Sequence, residues 1–272
     1  MSISGKEVTR YLEILGLPRS APTLEALTRI VREHLRRIPF ENVSKLYRMN
    51  KGGIAGLVDC GEFLDGIGRY HFGGTCYLNN FHLHQLLSAL GYDVSLCGAD
   101  MRKPDVHIVN MVKLEGREYL VDVGNAAPFF EPLPCDLAVE YEITFGADRY
   151  VLSPRDSTGR LRLSQYRDGV ALHGYIVNPA PRRIEEFAHP IAESFLSQAT
   201  FRNCVLLVKF GDRQSTILHN LTLVETRGSS VRKTPLGSMN DLIAMIQTHF
   251  LIPETVSRVA FDGFSITQGA WG

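Results

Sequence analysis

At Gly91–Tyr92 the hydrophobic period of this chain changes from that of helices to that of strands, and a chain built in that order is confined to a small set of folds. Before the change, apolar residues recur at helical spacing in Val8 to Leu15 and in Leu24, Leu27, Ile30, Val31 and Leu35, with Pro22-Thr23 as a helix entry. A glycine-spaced stretch from Lys51 to Cys60 and a short helical segment from Glu62 to Tyr70 follow the loop Ile38–Asn42. The next helix has Thr75 as its N-cap, a stripe of Leu83, Leu86, Leu87 and Leu90, and Gly91 at the position past its end. Beyond Tyr92, strand-like runs at 94–96, 108–114, 119–123, 143–145, 150–152, 161–163 and 170–177 are separated by turn signals. Glu115-Gly116, Asp156–Gly159 and Arg167–Gly169 make this middle region antiparallel and barrel-like. Pro179 and Pro181 end it, and the rest reads as a helix within 184–199, a hairpin of 204–210 with 216–225, a helix at 239–248 and a terminal strand or tail.

Composition narrows the function. The 272 residues are 44% hydrophobic and 21% charged, with 29 basic and 29 acidic side chains, so no excess of positive charge is available for a phosphate backbone. Nucleic acid is therefore not an expected partner. The polar start lacks the order of a signal peptide and no apolar run is long enough to span a bilayer, so a cytoplasmic protein without membrane association is expected. The five cysteines are odd in number and irregularly spaced with no C-x-x-C pair, which argues against a disulfide framework and a metal site.

One cysteine has a chemical setting. In Phe72-Gly73-Gly74-Thr75-Cys76 two glycines feed a helix and leave Cys76 in its first turn, where unpaired N–H groups and the positive end of the helix dipole favour a thiolate. The same N–H groups can hold an oxyanion. A thiol nucleophile needs a base, and His107 opens the apolar run His107–Leu114. If Glu115-Gly116 is a two-residue hairpin loop, Leu114 pairs with Arg117 and Asp122 faces Val109. Asp122 and His107 then project from one face as diagonal neighbours within bridging reach. An aspartate among Leu120, Val121 and Val123 needs such a partner, and the pairing lets Asp122 orient His107 while His107 deprotonates Cys76. His82 and His84 point in different directions along the helix and read as ordinary helix residues. Cys97, Cys135 and Cys204 read as packing residues, Cys60 as exposed after the glycine-rich loop, and Arg102 and Lys103 as solvated loop charges.

These residues together resemble the arylamine N-acetyltransferases. That family has Pro-Phe-Glu-Asn near its N-terminus, an Arg-Gly-Gly-x-Cys-x-Glu-x-Asn nucleophile motif, a histidine opening a strand and an aspartate in Val-Asp-Val-Gly-Phe-Gly. Here the matching segments, in the same order, are Pro39–Asn42, Phe72–Asn80, His107 and Leu120–Gly124. The resemblance implies an α+β, papain-like cysteine-enzyme fold: a helical bundle over 1–91 carrying the nucleophile, an antiparallel β-barrel over 92–190 carrying the histidine and aspartate, and an α/β lid over 191–272. It implies Cys76, His107 and Asp122 as a catalytic triad, no metal, acetyl-CoA as cosubstrate, and transfer through a cysteine thioester to an arylamine, arylhydrazine or N-hydroxyarylamine. It also implies that Phe40 and Gly124 line the substrate pocket. The family's Arg and Glu beside the nucleophile are Phe72 and Leu78 here, and replacing both members of a buried pair by apolar residues can be neutral. Asn125-Ala126 replaces the Phe-Gly after Gly124. Other readings of the same unit are an amide synthase acting on a carrier-bound biosynthetic substrate, a papain- or transglutaminase-like hydrolase, and a binding module without turnover.

Overall fold

A computed structural model describes residues 3–270. Five helices dominate the first ninety residues: α1 (Gly5–Leu15), α2 (Leu24–Arg37), α3 (Val43–Gly52), α4 (Cys60–Tyr70) and α5 (Cys76–Ala89), with the short strand β1 (Phe40–Glu41) between α2 and α3. Each of α1, α2 and α4 carries a side-chain N-cap, from Ser4, Thr23 and Asp59. α3 was not legible from its sequence, because its capping signals are displaced. The Asn42 side chain at its start is directed elsewhere, bonding the carbonyls of Phe201 and Cys204 and the Leu206 N–H. The Glu41 carboxylate takes the Ser44 N–H instead.

The strands β2 (Asp93–Asp100), β3 (His107–Leu114), β4 (Arg117–Val121), β5 (Leu133–Pro134), β6 (Tyr141–Phe145), β7 (Asp148–Leu152), β8 (Leu161–Arg167) and β9 (Val170–Val177) form one antiparallel sheet in the order β5-β4-β3-β2-β9-β8-β7-β6. Side chains from both ends of that order, Leu133 of β5 and Tyr141 of β6, meet in one apolar cluster with Val109, Leu152 and Tyr175, so the sheet wraps into a nearly closed barrel. The β3–β4 hairpin has the expected register, Leu114 opposite Arg117 through Asn110 opposite Val121. Its loop residues Glu115 and Gly116 both have positive φ, 54° and 77°, as a two-residue primed turn requires.

After β9 the chain crosses the molecule as a 3₁₀ turn (Ile184–Phe187), α6 (Ala188–Glu193) and a second 3₁₀ turn (Thr200–Arg202), a broken strap where the sequence suggested one longer helix. The expected hairpin of 204–225 is part of a four-strand meander: β10 (Leu206–Gly211), β11 (Gln214–His219), β12 (Thr222–Arg227) and β13 (Ser230–Pro235). The turn falls inside the run taken as one strand, at Asn220, whose φ is 51° and whose side chain accepts from the Val205 N–H. β1 pairs with β10, so residues 40–41 form the edge of this second sheet. α7 (Met239–Phe250) follows, and residues expected as a strand or tail form α8 (Glu254–Ala260), which packs on α3.

α5 lies at the centre, covered on nearly every side, with α1 and the strands β2 and β3 packed against it. A helix so placed must find partners for its polar side chains mostly inside the protein. Its Asn79 donates to the Gly74 carbonyl, and His82 bonds Gln85 while stacking on Phe63 with ring centroids 4.4 Å apart. Cys60 is buried as the first residue of α4 rather than exposed, and burial pushes its thiol up to about 12.

Burial has a consequence for acid stability. It pushes His34 down to about 3 and His82 to about 4, so each stays neutral in the folded chain while the unfolded chain protonates it near pH 6.5. Their stabilising contribution is therefore lost as the pH falls from about 6.5 towards those folded values. The variant His82→Gln should flatten the dependence of unfolding free energy on pH between about 6 and 5 by roughly 1.4 kcal/mol per pH unit. Parallel denaturation curves for the two proteins across that range would refute the assignment.

Candidate active site

The loop ahead of α5 is held by backbone contacts that only glycine permits. A Cβ on Gly73 would fall 1.8 Å from the Pro39 carbonyl oxygen, and one on Gly74 would fall 2.7 Å from Leu78 Cβ. This closeness lets the Gly74 carbonyl accept from the Glu41 N–H at 3.1 Å, while the buried Glu41 carboxylate accepts from the Gly73 N–H at 3.0 Å. Burial pushes the Glu41 carboxyl up, against the Ser44 and Gly73 donors and the nearby Arg48 charge. Glu41 and Asn42 thus tie the glycine loop ahead of α5 to α3 and to the second sheet, a structural role that explains why those residue types stand in the Pro39–Asn42 segment. Phe40 between them is buried, its ring edge-on to Phe201 at 5.5 Å.

Cys76 is the first residue of α5, and its thiol points to the Val106 carbonyl at 3.8 Å, one residue ahead of His107. His107 opens β3, and its Nε2 donates to Asp122 Oδ2 at 2.9 Å. Nδ1 is then the ring nitrogen left for Cys76, whose thiol favours the charged imidazole. The structure thus brings Cys76, His107 and Asp122 together, although they come from a helix start, a strand start and the residue after β4.

Asp122 is fully enclosed by donors. Oδ2 also accepts from the Tyr175 hydroxyl at 2.8 Å, and Oδ1 accepts from Asn80 Nδ2 and the Gly124 N–H, both at 2.8 Å. Burial works to raise its carboxyl, but the His107 charge and the Asn80 and Tyr175 donors outweigh it and hold Asp122 below the ordinary range. Burial likewise works against charge on His107, yet the Asp122 carboxylate reverses the direction and carries it up to about 10. Each member of the pair thus favours the charged form of the other, across a 2.9 Å hydrogen bond in a site closed to water.

Asn80 entered the sequence reading only as the last residue of the Phe72–Asn80 segment, and Tyr175 only within the strand-like run at 170–177. Asn80 lies four residues after Cys76 on the same helical face, and it also donates to the Ile108 carbonyl and accepts from the Val123 N–H. A lone amide on the face of the nucleophile was the available signal. Tyr175 comes from β9, and nothing local to it points to Asp122. Gly124 is pressed against Cys76: a Cβ there would sit 2.7 Å from Cys76 Cα and 2.6 Å from Asn80 Nδ2. Phe72 packs with Tyr47 and Tyr70, and Leu78 lies in the helical core, so both positions flanking the nucleophile are apolar and buried. Cys97, Cys135 and Cys204 are buried free thiols pushed up to about 12 by burial.

The helices, the nearly closed antiparallel barrel and the buried Cys76–His107–Asp122 cluster define a papain-like fold. The N-acetyltransferase family model matches residues 23–258, and the chain belongs to the arylamine N-acetyltransferase family. Among curated relatives, the chain is 32% identical over 143 residues to the Proansamycin X synthase of Amycolatopsis mediterranei, covering 49% of this chain and 54% of that protein. It is 29% identical over 199 residues to the pineal gland arylamine N-acetyltransferase isozyme NAT-3 of Gallus gallus, covering 61% and 63%. The chain thus spans between about half and somewhat under two thirds of the length of these relatives. Solved structures agree on the fold. The arylamine N-acetyltransferase of Nocardia farcinica superposes with a TM-score of 0.79 at 24% identity over 94% of this chain and 93% of that one. The Mycobacterium marinum arylamine N-acetyltransferase in complex with CoA gives a TM-score of 0.80 at 21% identity over 95% and 100%. Among the described residues no helix is long and apolar enough to cross a membrane.

Proposed function

We propose that this chain transfers an acetyl group from acetyl-CoA to an arylamine, arylhydrazine or N-hydroxyarylamine through a thioester on Cys76, and that it does so in the cytoplasm. The observation that carries the reading is the buried His107–Asp122 pair beside a cysteine at a helix start. The Cys76 thiolate attacks the thioester carbonyl of acetyl-CoA; the carbonyl electrons move to oxygen, where the N–H groups at the start of α5 receive the charge. Collapse expels CoA, which takes its proton from the His107 imidazolium, and leaves acetyl-Cys76 with a neutral His107. The amine then attacks the new thioester, His107 removes its proton, and the acetylated product departs as the Cys76 thiolate re-forms. Asp122 keeps His107 in the orientation that both steps need. Phe40 and Gly124 are assigned to the walls of the acceptor pocket. Family membership supports the reaction class, and the CoA complex among the structural neighbours supports the cosubstrate.

Two half-reactions predict a kinetic signature. Initial rates measured at several fixed arylamine concentrations should give parallel double-reciprocal lines against acetyl-CoA. Intersecting lines would indicate a ternary complex and contradict the covalent route. The relative named Proansamycin X synthase favours one second reading, amide formation on a carrier-bound biosynthetic acyl chain by the same three residues. Acylation of Cys76 by a long-chain thioester with no acylation by acetyl-CoA would select it.

A further inference from the structure

On the α3 side of the nucleophile lies a recess that the mechanism above does not use. It is lined by Lys45, Arg48, Thr75, Tyr77 and Leu78 and roofed by Ser194, and its volume is about 20 Å³, room for one small polar group. Lys45 and Arg48 stand one helical turn apart on α3, and both are more than nine-tenths buried. Leu57 and Phe195, which also line the recess, pack in the same apolar cluster as Cys76, which sets the recess near that residue.

The charges there are incompletely answered. Lys45 Nζ donates to the carbonyl and to the hydroxyl of Ser194, the latter at 2.9 Å, and lies 4.0 Å from the centroid of the Phe195 ring. These are neutral partners, and no ion pair among the described residues includes Lys45. Burial pushes its ammonium down to about 8, and the neighbouring Cys76 pulls it back up. Arg48 has two carboxylates nearby: Nε lies 3.5 Å from Glu62, and Glu41 adds a favourable charge. Its Nη1 is buried with no hydrogen-bond partner. A buried guanidinium N–H without an acceptor is costly, and an ammonium answered only by neutral oxygens and a ring is costlier than one facing an anion. The N-terminal N–H groups of α5 add positive potential from the opposite wall.

We propose that this recess is a carboxylate subsite: Lys45 Nζ and Arg48 Nη1 receive a carboxylate carried by one of the two substrates, either a dicarboxylic acyl-CoA whose free end lies beside the thioester or an aromatic amine bearing a carboxyl group. The assignment rests on Cys76 being the acylated residue. In either case the bound carboxylate supplies the acceptor that Arg48 Nη1 lacks and the countercharge that Lys45 lacks. The roof formed by Ser194 and Phe195 belongs to the strap after β9, so the same contacts that hold Lys45 close the subsite over a bound anion.

Alkylation reads this subsite without requiring acyl transfer. The rate of Cys76 modification by iodoacetate is divided by that by iodoacetamide, a ratio that cancels any change in thiolate content, and is compared with the same ratio for 2-mercaptoethanol. The expected ratio for the protein is at least about tenfold above that of the small thiol, as a focused positive potential gives. It should fall to within about threefold of the small thiol in both Lys45→Met and Lys45→Gln, the second of which keeps a donor for Ser194 while removing the charge. A ratio that is not raised, or one that survives both substitutions, overturns the proposal. Two further comparisons identify the source: succinyl-CoA against acetyl-CoA in acylation of Cys76, and 4-aminobenzoate against aniline as acceptor. The substrate whose preference collapses in Lys45→Met carries the carboxylate, and no collapse in either comparison counts against the subsite. A raised, Lys45-dependent alkylation ratio with no acylation by any CoA thioester would instead remove the transferase reading and leave the subsite standing.

Discussion

Cys76→Ser is expected to lower acetyl transfer by at least about 10⁴-fold while leaving the fold and the melting temperature nearly unchanged. The thiol contacts the Val106 carbonyl at 3.8 Å and faces His107, and a serine hydroxyl can keep both contacts, so little packing is lost. What disappears is the nucleophile: a serine hydroxyl ionises far less readily than a thiol and is the weaker nucleophile in the same place. The comparison is initial rates of acetyl-CoA consumption with an arylamine, together with thermal unfolding of both proteins. Turnover by the serine variant within tenfold of the native protein would remove Cys76 from the mechanism.

The second large effect belongs to Asp122, where two substitutions separate catalysis from stability. Asp122→Ala leaves the His107 imidazole, the Asn80 amide, the Tyr175 hydroxyl and the Gly124 N–H without their shared acceptor inside the protein. Removing one partner of a buried ion pair costs about 3–5 kcal/mol, so this variant should unfold at markedly lower denaturant concentration. Asp122→Asn keeps the shape and one acceptor oxygen but no charge. It should remain folded while transfer falls by about 10²–10⁴-fold, because His107 loses both its orientation and the charge that holds it protonated. The pH profile should move with it: without the carboxylate, burial dominates and His107 titrates far lower. An Asn variant with native rate and native pH profile would show that Asp122 serves packing alone.

The parts of this site that could be read from the sequence are those fixed by local rules. The two-residue loop Glu115-Gly116 sets the register of β3 and β4, and that register alone carries Asp122 to His107. The glycine pair before Thr75 sets the start of α5, and with it the environment of Cys76. What escaped the reading depends on contacts between distant segments. α3 lacks an ordinary cap because Asn42 is committed to residues more than 150 positions away. β11 and β12 merge in the sequence because the Asn220 turn between them is stabilised by the distant Val205 N–H. Tyr175 reaches Asp122 only through the strand order that sets β9 beside β2. Lys45 carries no local signal, because its burial comes from the distant strap whose Ser194 bonds its ammonium.

The covalent route is tested most directly by mixing the protein with acetyl-CoA in the absence of any acceptor, recording its intact mass, and mapping the adduct by peptide digestion. The account predicts one acetyl group, on Cys76, that is released when an arylamine is added and that does not form in the Cys76→Ser protein. A folded native protein that gains no acetyl group, or gains one elsewhere that the amine does not discharge, would contradict it.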